Sequence, residues 1–127
     1  MRRWSIWRLH ADVNGWPAWQ AGITAAHIDG ASGPGASFEW TSYGVTVVST
    51  IYPVAERARV LCGGTAGGIT GIHEWVFSQR PAGVHVSTAE SFAGEPADAD
   101  VTGMQSALDG SLISRLARLK AAAEAAA

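Results

Sequence analysis

The sequence predicts an α+β fold in which an antiparallel β-sheet is followed by one long C-terminal helix. Residues 69–77 and 84–92 show a period of two, which is typical of β-strands. The segments that connect the strand candidates are too short for crossover helices, and this favours an antiparallel meander. From Val101 onwards, apolar residues recur at spacings of three and four, which is the pattern of an amphipathic helix.

Length, charge and cysteine content exclude several classes of protein. A chain of 127 residues is expected to form one domain, residues 1–127, with its own core. The net charge is -2 and the nine Lys and Arg residues form no basic stripe, so we expect no nucleic-acid partner. Cys62 is the single cysteine, which excludes an internal disulfide and a zinc site with several cysteines.

Two further features of the sequence concern where the protein works. No apolar run reaches the length of a transmembrane helix, so we expect no membrane partner. The basic start at Arg2 and Arg3 is not followed by the apolar core of a signal peptide, because His10, Asp12 and Asn14 interrupt it. We therefore expect a cytoplasmic protein.

The N-terminal part of the chain predicts two short helices. Residues 4–11 fit an amphipathic helix, which the polar and helix-breaking residues at 12–17 end. A second turn of helix would carry Trp16 and Trp19. Three tryptophans within residues 7–19 are a large apolar surface for such short segments. We expect them to cover a core rather than to stack on a ligand.

The middle of the chain predicts strands separated by turns. The strand candidates are residues 23–29, 38–41, 45–53 and 59–62. Tyr43 and Gly44 form a turn, and Pro53 closes its strand because proline donates no hydrogen bond to a sheet. The glycine-rich run 63–68 is predicted to connect residues 59–62 to the next strand. This run lacks the Lys and Ser/Thr of a phosphate-binding loop.

The hairpin formed by 69–77 and 84–92 is the predicted functional element. Side chains of a strand alternate between two faces, so His73, Trp75 and Phe77 share one face. On the second strand one face carries Val86, Thr88, Glu90 and Phe92. Ionisable groups among aromatic ones indicate a sheet that lines a partly polar pocket.

The C-terminal part predicts a capped helix that closes this pocket. Residues 95–100 form a polar linker in which Asp98 or Asp100 can cap the helix. The apolar stripe of the helix consists of Val101, Met104, Leu108, Leu112, Leu116 and Leu119. Gly103 and Gly110 each cost about 1 kcal/mol relative to alanine, so the first turns are expected to be looser.

The residues that could carry chemistry reduce to one acid/base pair. The four histidines show no metal-ligand spacing, so neither a metal nor a cofactor is expected, and Cys62 has no evident catalytic partner. His73 and Glu90 remain as catalytic candidates, because burial on an apolar face would raise the pKa of Glu90 while His73 could hold a proton nearby. A buried pair that only satisfies its own hydrogen bonds is an equally open alternative. The predicted ligand-binding wall consists of Trp40, Ser49, Trp75, Phe77, Thr88 and Phe92.

Four short motifs, in order, resemble the START-like or SRPBCC superfamily and in particular its polyketide cyclase/dehydratase members. Asp12-Val13-x-x-Trp16-Pro17-x-Trp19 resembles the motif after the family's first helix. Gly71-x-His73-x-Trp75-x-Phe77 and Thr88-x-Glu90-Ser91-x-x-Gly94 resemble the last two strands. Leu112-x-x-x-Leu116-x-x-Leu119-Lys120 resembles the closing helix. The resemblance covers residues 4–124 and implies a helix-grip fold, a curved sheet wrapped around the C-terminal helix.

The resemblance implies a hydrophobic or aromatic small-molecule ligand in an internal cavity, but the superfamily contains both enzymes and carriers. As a cyclase, the protein would fold a poly-keto chain for aldol closure and dehydration, with Glu90 or His73 moving the proton. As a carrier, it would hold a lipid-like or aromatic molecule without chemistry. Fold alone does not choose between these two hypotheses.

One departure from the family concerns the edges of the sheet. Members usually begin with a β-strand before the first helix, whereas Met1 falls about where that helix starts. Without this strand the sheet would keep two unpaired edges, and exposed edges promote pairing with another chain. We therefore expect self-association, for example as a homodimer through an open sheet edge.

Overall fold

The computed structural model describes residues 3–52, 55 and 57–126. Helix α1 (Arg3–Ala11) leads through a 3-10 turn (Val13–Gly15) into α2 (Trp16–Trp19). Six strands follow: β1 (Ile23–Ile28), β2 (Ser37–Ser42), β3 (Val45–Ile51), β4 (Arg59–Ala66), β5 (Ile69–Arg80) and β6 (Gly83–Ala93). Helices α3 (Glu95–Ala99) and α4 (Val101–Ala125) complete the described chain. The predicted fold class is confirmed, with its two short N-terminal helices, antiparallel sheet and long C-terminal helix.

The described strands form one antiparallel sheet in chain order, from β1 to β6. Every neighbouring pair is antiparallel, as the short connections predict. The predicted strand over 45–53 ends at Ile51, and the predicted position of Pro53 as its closing residue lies outside the described residues. Helix α4 packs against α1 and β6.

The buried face of β5 follows the predicted parity. His73 is 7%, Trp75 5% and Phe77 1% exposed, whereas Ile72 on the other face is 43% exposed. Phe77 and Trp75 pack with Leu119 of α4 in the main core cluster. The period of two therefore identified which side chains β5 turns towards the interior.

The glycine-rich run does not form the predicted connection over 63–68. Strand β4 continues to Ala66, and the turn consists of Gly67 and Gly68 alone, whose φ angles are 57° and 79°. Two positive φ angles are what a tight two-residue hairpin turn requires. Gly64 pairs with Ser49 of β3 and Gly71 of β5, and β3 approaches it so closely that a Cβ would overlap the carbonyl oxygen of Val48.

The predicted linker over 95–100 is also corrected. Residues Glu95–Ala99 form the short helix α3, with Pro96 in its first turn. Proline is tolerated there because N–H groups of the first turn make no hydrogen bond within the helix. Asp100 then caps α4, because its Oδ1 accepts a hydrogen bond of 3.0 Å from the backbone N–H of Gly103. Val101 is 66% exposed and does not belong to the buried stripe, in contrast to Leu108 and Leu119.

The two outer strands of the sheet differ in how their edges are covered. At β1, the side chain of Asn14 satisfies both backbone groups of Ile28, since its Oδ1 accepts from the Ile28 N–H at 3.0 Å and its Nδ2 donates to the Ile28 carbonyl at 3.3 Å. Strand β6 pairs only with β5 in the described part of the chain. Among the same residues, no helix has the length and apolar character needed to cross a membrane.

Candidate functional site

A cavity of about 480 Å³ lies between the sheet and helix α4. All six strands contribute to its walls, as do α1, α2 and α4, and Gln20 and Tyr43 from connecting segments. The lining residues are His10, Trp16, Trp19, Gln20, Ile23, Phe38, Trp40, Ser42, Tyr43, Val45, Val47, Ser49, Cys62, Gly63, Gly64, Ala66, Ile69, Gly71, His73, Trp75, Glu90, Phe92, Met104, Ala107, Leu108, Ser111 and Arg115. Most of these side chains are apolar, and the ionisable ones in the interior are few. A concave, mainly apolar space with a few polar groups is the usual form of a small-molecule site.

The structure brings most of the predicted site residues to this cavity. Those that line it are His73, Glu90, Trp40, Ser49, Trp75 and Phe92. Thr88 shares a face of β6 with Glu90 but does not line the cavity, and its hydroxyl contacts His73. Phe77 is 1% exposed and belongs to the core between β5, α1 and α4, outside the cavity lining. Tyr43 contributes to the lining although it is 85% exposed, which places it at the mouth.

Hydrogen bonds fix the tautomer of His73. The Thr88 hydroxyl donates to the carbonyl oxygen of Glu74 at 2.8 Å, and its Oγ1 lies 2.6 Å from His73 Nε2. Because this hydroxyl has one hydrogen and gives it to Glu74, it must accept the Nε2–H of His73. In the neutral imidazole, Nδ1 then carries the lone pair.

Two charged side chains approach this lone pair. Glu90 is the direct cross-strand partner of His73, and its Oε2 lies 3.5 Å from His73 Nδ1. Arg115 approaches from α4, with its Nη1 at 3.4 Å from the same atom. Three titratable or charged groups thus meet at one point of a mainly apolar cavity.

Burial determines the protonation states at this point. Burial, together with the positive charge of Arg115, lowers the pKa of His73 to about 3, so that His73 is neutral at pH 7. Burial also raises the pKa of Glu90, and Arg115 acts in the opposite direction. A carboxyl group with a raised pKa can hold and release a proton closer to neutral pH than an ordinary glutamate.

Arg115 is a site residue that the sequence-based prediction does not include. Its guanidinium carbon lies 5.3 Å from the centre of the Trp40 ring, and Trp40 Nε1 donates to Ser49 Oγ at 3.0 Å. The sequence contains a pattern that indicates this position. Arg115 is three residues after Leu112 and four before Leu119, so it lies within the apolar stripe of α4. A charged residue in such a stripe is a candidate for a pocket residue.

His10 is a second missed residue, and it lies between two cavities. Its ring packs against Trp75 at 4.8 Å and against Trp16 at 5.8 Å between centroids, and burial lowers its pKa to about 4. A smaller cavity of about 310 Å³ lies on its other side. His10, Trp16, Phe38 and Cys62 line both cavities and therefore form the wall between them, which we call the partition.

Cys62 gives no sign of reactivity in this partition. Burial raises the pKa of its thiol to about 12, with a further contribution from the charge of Glu90. Since the thiolate is the nucleophilic form, the raised pKa disfavours the reactive form of Cys62 at neutral pH. Within the described residues, no group of three His, Cys, Asp or Glu side chains is arranged to hold a metal ion.

The sequence assigns the family. Residues 5–124 match the family described as "Polyketide cyclase / dehydrase and lipid transport". The chain belongs to this family, within the START-like superfamily that its motifs predict. Membership of this family and the apolar cavity both support hydrophobic-ligand binding. A comparison with curated proteins gives no match.

Solved structures with the same fold come from distant sequences. The hypothetical protein jhp0584 from Helicobacter pylori is 18% identical, with a TM-score of 0.84 over 97% of this chain and 81% of that one. TTHA0849 from Thermus thermophilus is 16% identical, with a TM-score of 0.79 over 98% and 91% of the chains. DynU16, a putative protein in the dynemicin biosynthetic locus, is 16% identical, with a TM-score of 0.67 over 94% of this chain and 42% of that one. These similarities establish the fold.

Proposed function

We propose that the protein binds a hydrophobic or aromatic poly-keto molecule in the large cavity and catalyses its aldol cyclisation and dehydration. The observation that carries this proposal is the meeting of His73, Glu90 and Arg115 in an otherwise apolar space. Membership of a family described by polyketide cyclisation, dehydration and lipid transport supports the same substrate class.

In the proposed mechanism, Glu90 moves the proton. Its carboxylate takes a proton from a methylene group between two ketones, and the resulting enolate carbon forms a bond with a second carbonyl carbon of the same chain. The alkoxide then takes the proton back from Glu90, and loss of a further α-proton and the hydroxyl group releases water. Apolar walls favour the folded chain and exclude bulk water from these steps.

His73 acts as a positioning residue in this mechanism. A pKa of about 3 makes it a poor proton acceptor at pH 7. Once Glu90 has taken up the proton, it can share the Nδ1 lone pair with Arg115 as a second hydrogen-bond donor, while Thr88 holds the ring through Nε2. His73 thereby keeps the carboxyl group of Glu90 directed at the cavity.

A carrier of a lipid-like or aromatic molecule is the second candidate. It is favoured by the closed chain of hydrogen bonds from His73 through Thr88 to the Glu74 carbonyl, which a purely structural pair would also make. The family description includes lipid transport. In this alternative, Glu90 orients the ligand and no bond is formed.

Replacing Glu90 by glutamine separates the two candidates. We expect Glu90→Gln to lower the turnover of a poly-β-keto substrate by at least about 100-fold, because glutamine cannot transfer the proton. Binding of a polyphenol, measured by quenching of tryptophan fluorescence, should be retained because the shape of the cavity is unchanged. His73→Ala should lower turnover less, since His73 does not itself carry the proton.

Glu74→Gln is the matched control for this experiment. Glu74 is adjacent to His73 on β5, but its side chain pairs with Arg59 at 2.6 Å and does not line the cavity. This variant should turn over substrate like the wild type. If wild type, Glu90→Gln and His73→Ala all bind the polyphenol equally and no poly-keto substrate is turned over, the cyclase proposal fails and the carrier remains.

We also propose that two copies associate through their β6 edges. Strand β6 spans Gly83–Ala93 and pairs only with β5 among the described residues, so it can accept a further strand. Light scattering should give a mass that rises with concentration from 13.2 kDa towards twice that value. Ala89→Lys adds a charge to the exposed face of β6 and should weaken association. A monomer at all concentrations would rule out this interface.

A further inference from the structure

Arg115 is a cation without a carboxylate partner inside the large cavity. In the described part of the chain, no carboxylate oxygen lies within 4.0 Å of its guanidinium. Its contacts there are one hydrogen bond of 3.4 Å to His73 Nδ1 and the ring of Trp40. A guanidinium carries five N–H donors, so most of them remain available to a ligand.

Arg115 is partly buried in surroundings that offer it few polar partners. A charged side chain that loses hydration gains from an opposite charge with good hydrogen-bond geometry. Glu90 also lines this cavity, but it and Arg115 contact His73 Nδ1 separately instead of pairing with each other. The guanidinium therefore keeps an unused capacity to bind an anion.

The guanidinium of Arg115 also lies over an aromatic ring. Trp40 lies beneath it, and the hydrogen bond from Trp40 to Ser49 holds the indole in place. The planar fork of arginine matches the two oxygens of a carboxylate, and stacking on an aromatic ring leaves the edge of the fork available. The free edge of the guanidinium can therefore bind a planar anion in the cavity.

We infer that Arg115 binds a carboxylate group of the ligand and that the natural ligand is an apolar molecule with a carboxylate at one end. The inference rests on the proposed use of the cavity as a ligand site, and it adds the chemical class of the ligand. The apolar part of the molecule occupies the space lined by Trp16, Phe38 and Leu108. The carboxylate lies against Arg115, close to the His73 and Glu90 side chains.

Two probes of the same shape test this inference. 2-Naphthoate and 2-naphthamide share one ring system, but only the first carries a charge at neutral pH. Their dissociation constants are measured by calorimetry and by quenching of tryptophan fluorescence. We expect the wild type to bind naphthoate about 10-fold to 100-fold more tightly than naphthamide, the range of a charge-assisted hydrogen bond.

Variants of α4 identify the source of this preference. Arg115→Met keeps an apolar stem and should make the two affinities equal without weakening naphthamide binding. Arg115→Gln provides a second neutral variant if the first does not fold, as judged by circular dichroism. Arg118→Met is the matched control: Arg118 lies on the same helix, donates to Ser114 Oγ at 3.0 Å and does not line the cavity, so this variant should keep the wild-type ratio.

The outcomes distinguish this inference from the proposed function. If neither probe binds the wild type, the proposal of a ligand cavity fails and the inference fails with it. If both probes bind the wild type equally, the cavity stands and only the carboxylate site is overturned. A preference that persists in Arg115→Met and Arg115→Gln would also overturn it.

Discussion

Replacing Phe77 by alanine is expected to lower the free energy of unfolding by about 3–5 kcal/mol. Phe77 is 1% exposed, and its ring meets Trp7 and His10 at 5.6 Å each. Alanine would leave a cavity at the point where β5, α1 and α4 converge, and three elements cannot all move to fill it. Urea denaturation followed by circular dichroism measures the loss.

Ile113→Ala provides the control for this stability experiment. Ile113 lies on α4 but is 69% exposed, so its truncation should change the free energy of unfolding by less than about 0.5 kcal/mol. The comparison separates loss of core packing from any general sensitivity of the protein to substitution. A cost below about 1 kcal/mol for Phe77→Ala would contradict the burial that the fold assigns to this ring.

Acid is expected to destabilise the protein steeply between pH 6.5 and pH 4. The pKa of His10 is lowered to about 4 and that of His73 to about 3, from an ordinary value of 6.5. As the pH falls below 6.5, both imidazoles bind protons in the unfolded chain and not in the folded protein. The unfolded state therefore binds more protons than the folded state. The free energy of unfolding decreases as the pH decreases, by at most about 3 kcal/mol per pH unit for two groups.

Glu90 opposes part of this dependence. Its raised pKa means that the folded protein keeps a proton, at pH values above 4.5, that the unfolded carboxyl group has released. Because of this group, the free energy of unfolding decreases as the pH rises, whereas the two histidines make it increase. The net slope is therefore expected to lie below the limit set by the two histidines.

His10→Phe tests the origin of the acid effect. Phenylalanine fits the same aromatic cluster and does not titrate, so the steepest slope should fall by about 1.4 kcal/mol per pH unit. Trp16→Phe is the control, because it changes the same cluster and removes the bond from Trp16 Nε1 to the His10 carbonyl without removing a titratable group. Urea unfolding at several pH values measures each slope, and equal slopes in wild type and His10→Phe would contradict this origin.

The sequence predicted the inner face of the hairpin and left its register open. Parity alone placed His73 with Trp75 and Phe77, because side chains of a strand alternate regardless of what packs on them. The direct pairing of His73 with Glu90 depends on the turn. Only the two residues between Arg80 and Gly83 set the register, whereas the predicted strands left the six residues 78–83 between them.

Residues that reach the cavity from helices could not be located in this way. His10 and Arg115 lie on α1 and α4, and no local pattern specifies how those helices pack on the sheet. The same limit explains the error at Gly64. A glycine run predicts a loop because of the local conformational preference of glycine. In the structure, the missing side chain of Gly64 instead allows the carbonyl of Val48, 16 residues earlier, to approach closely.

The partition between the two cavities has a consequence for how ligand size is set. It consists of side chains from four different elements, His10, Trp16, Phe38 and Cys62, and contains no hydrogen-bonded strand or helix of its own. The internal volume available to a ligand thus depends on the size and conformation of four side chains. A single substitution in the partition can merge the two cavities or close one of them without changing how the strands pair.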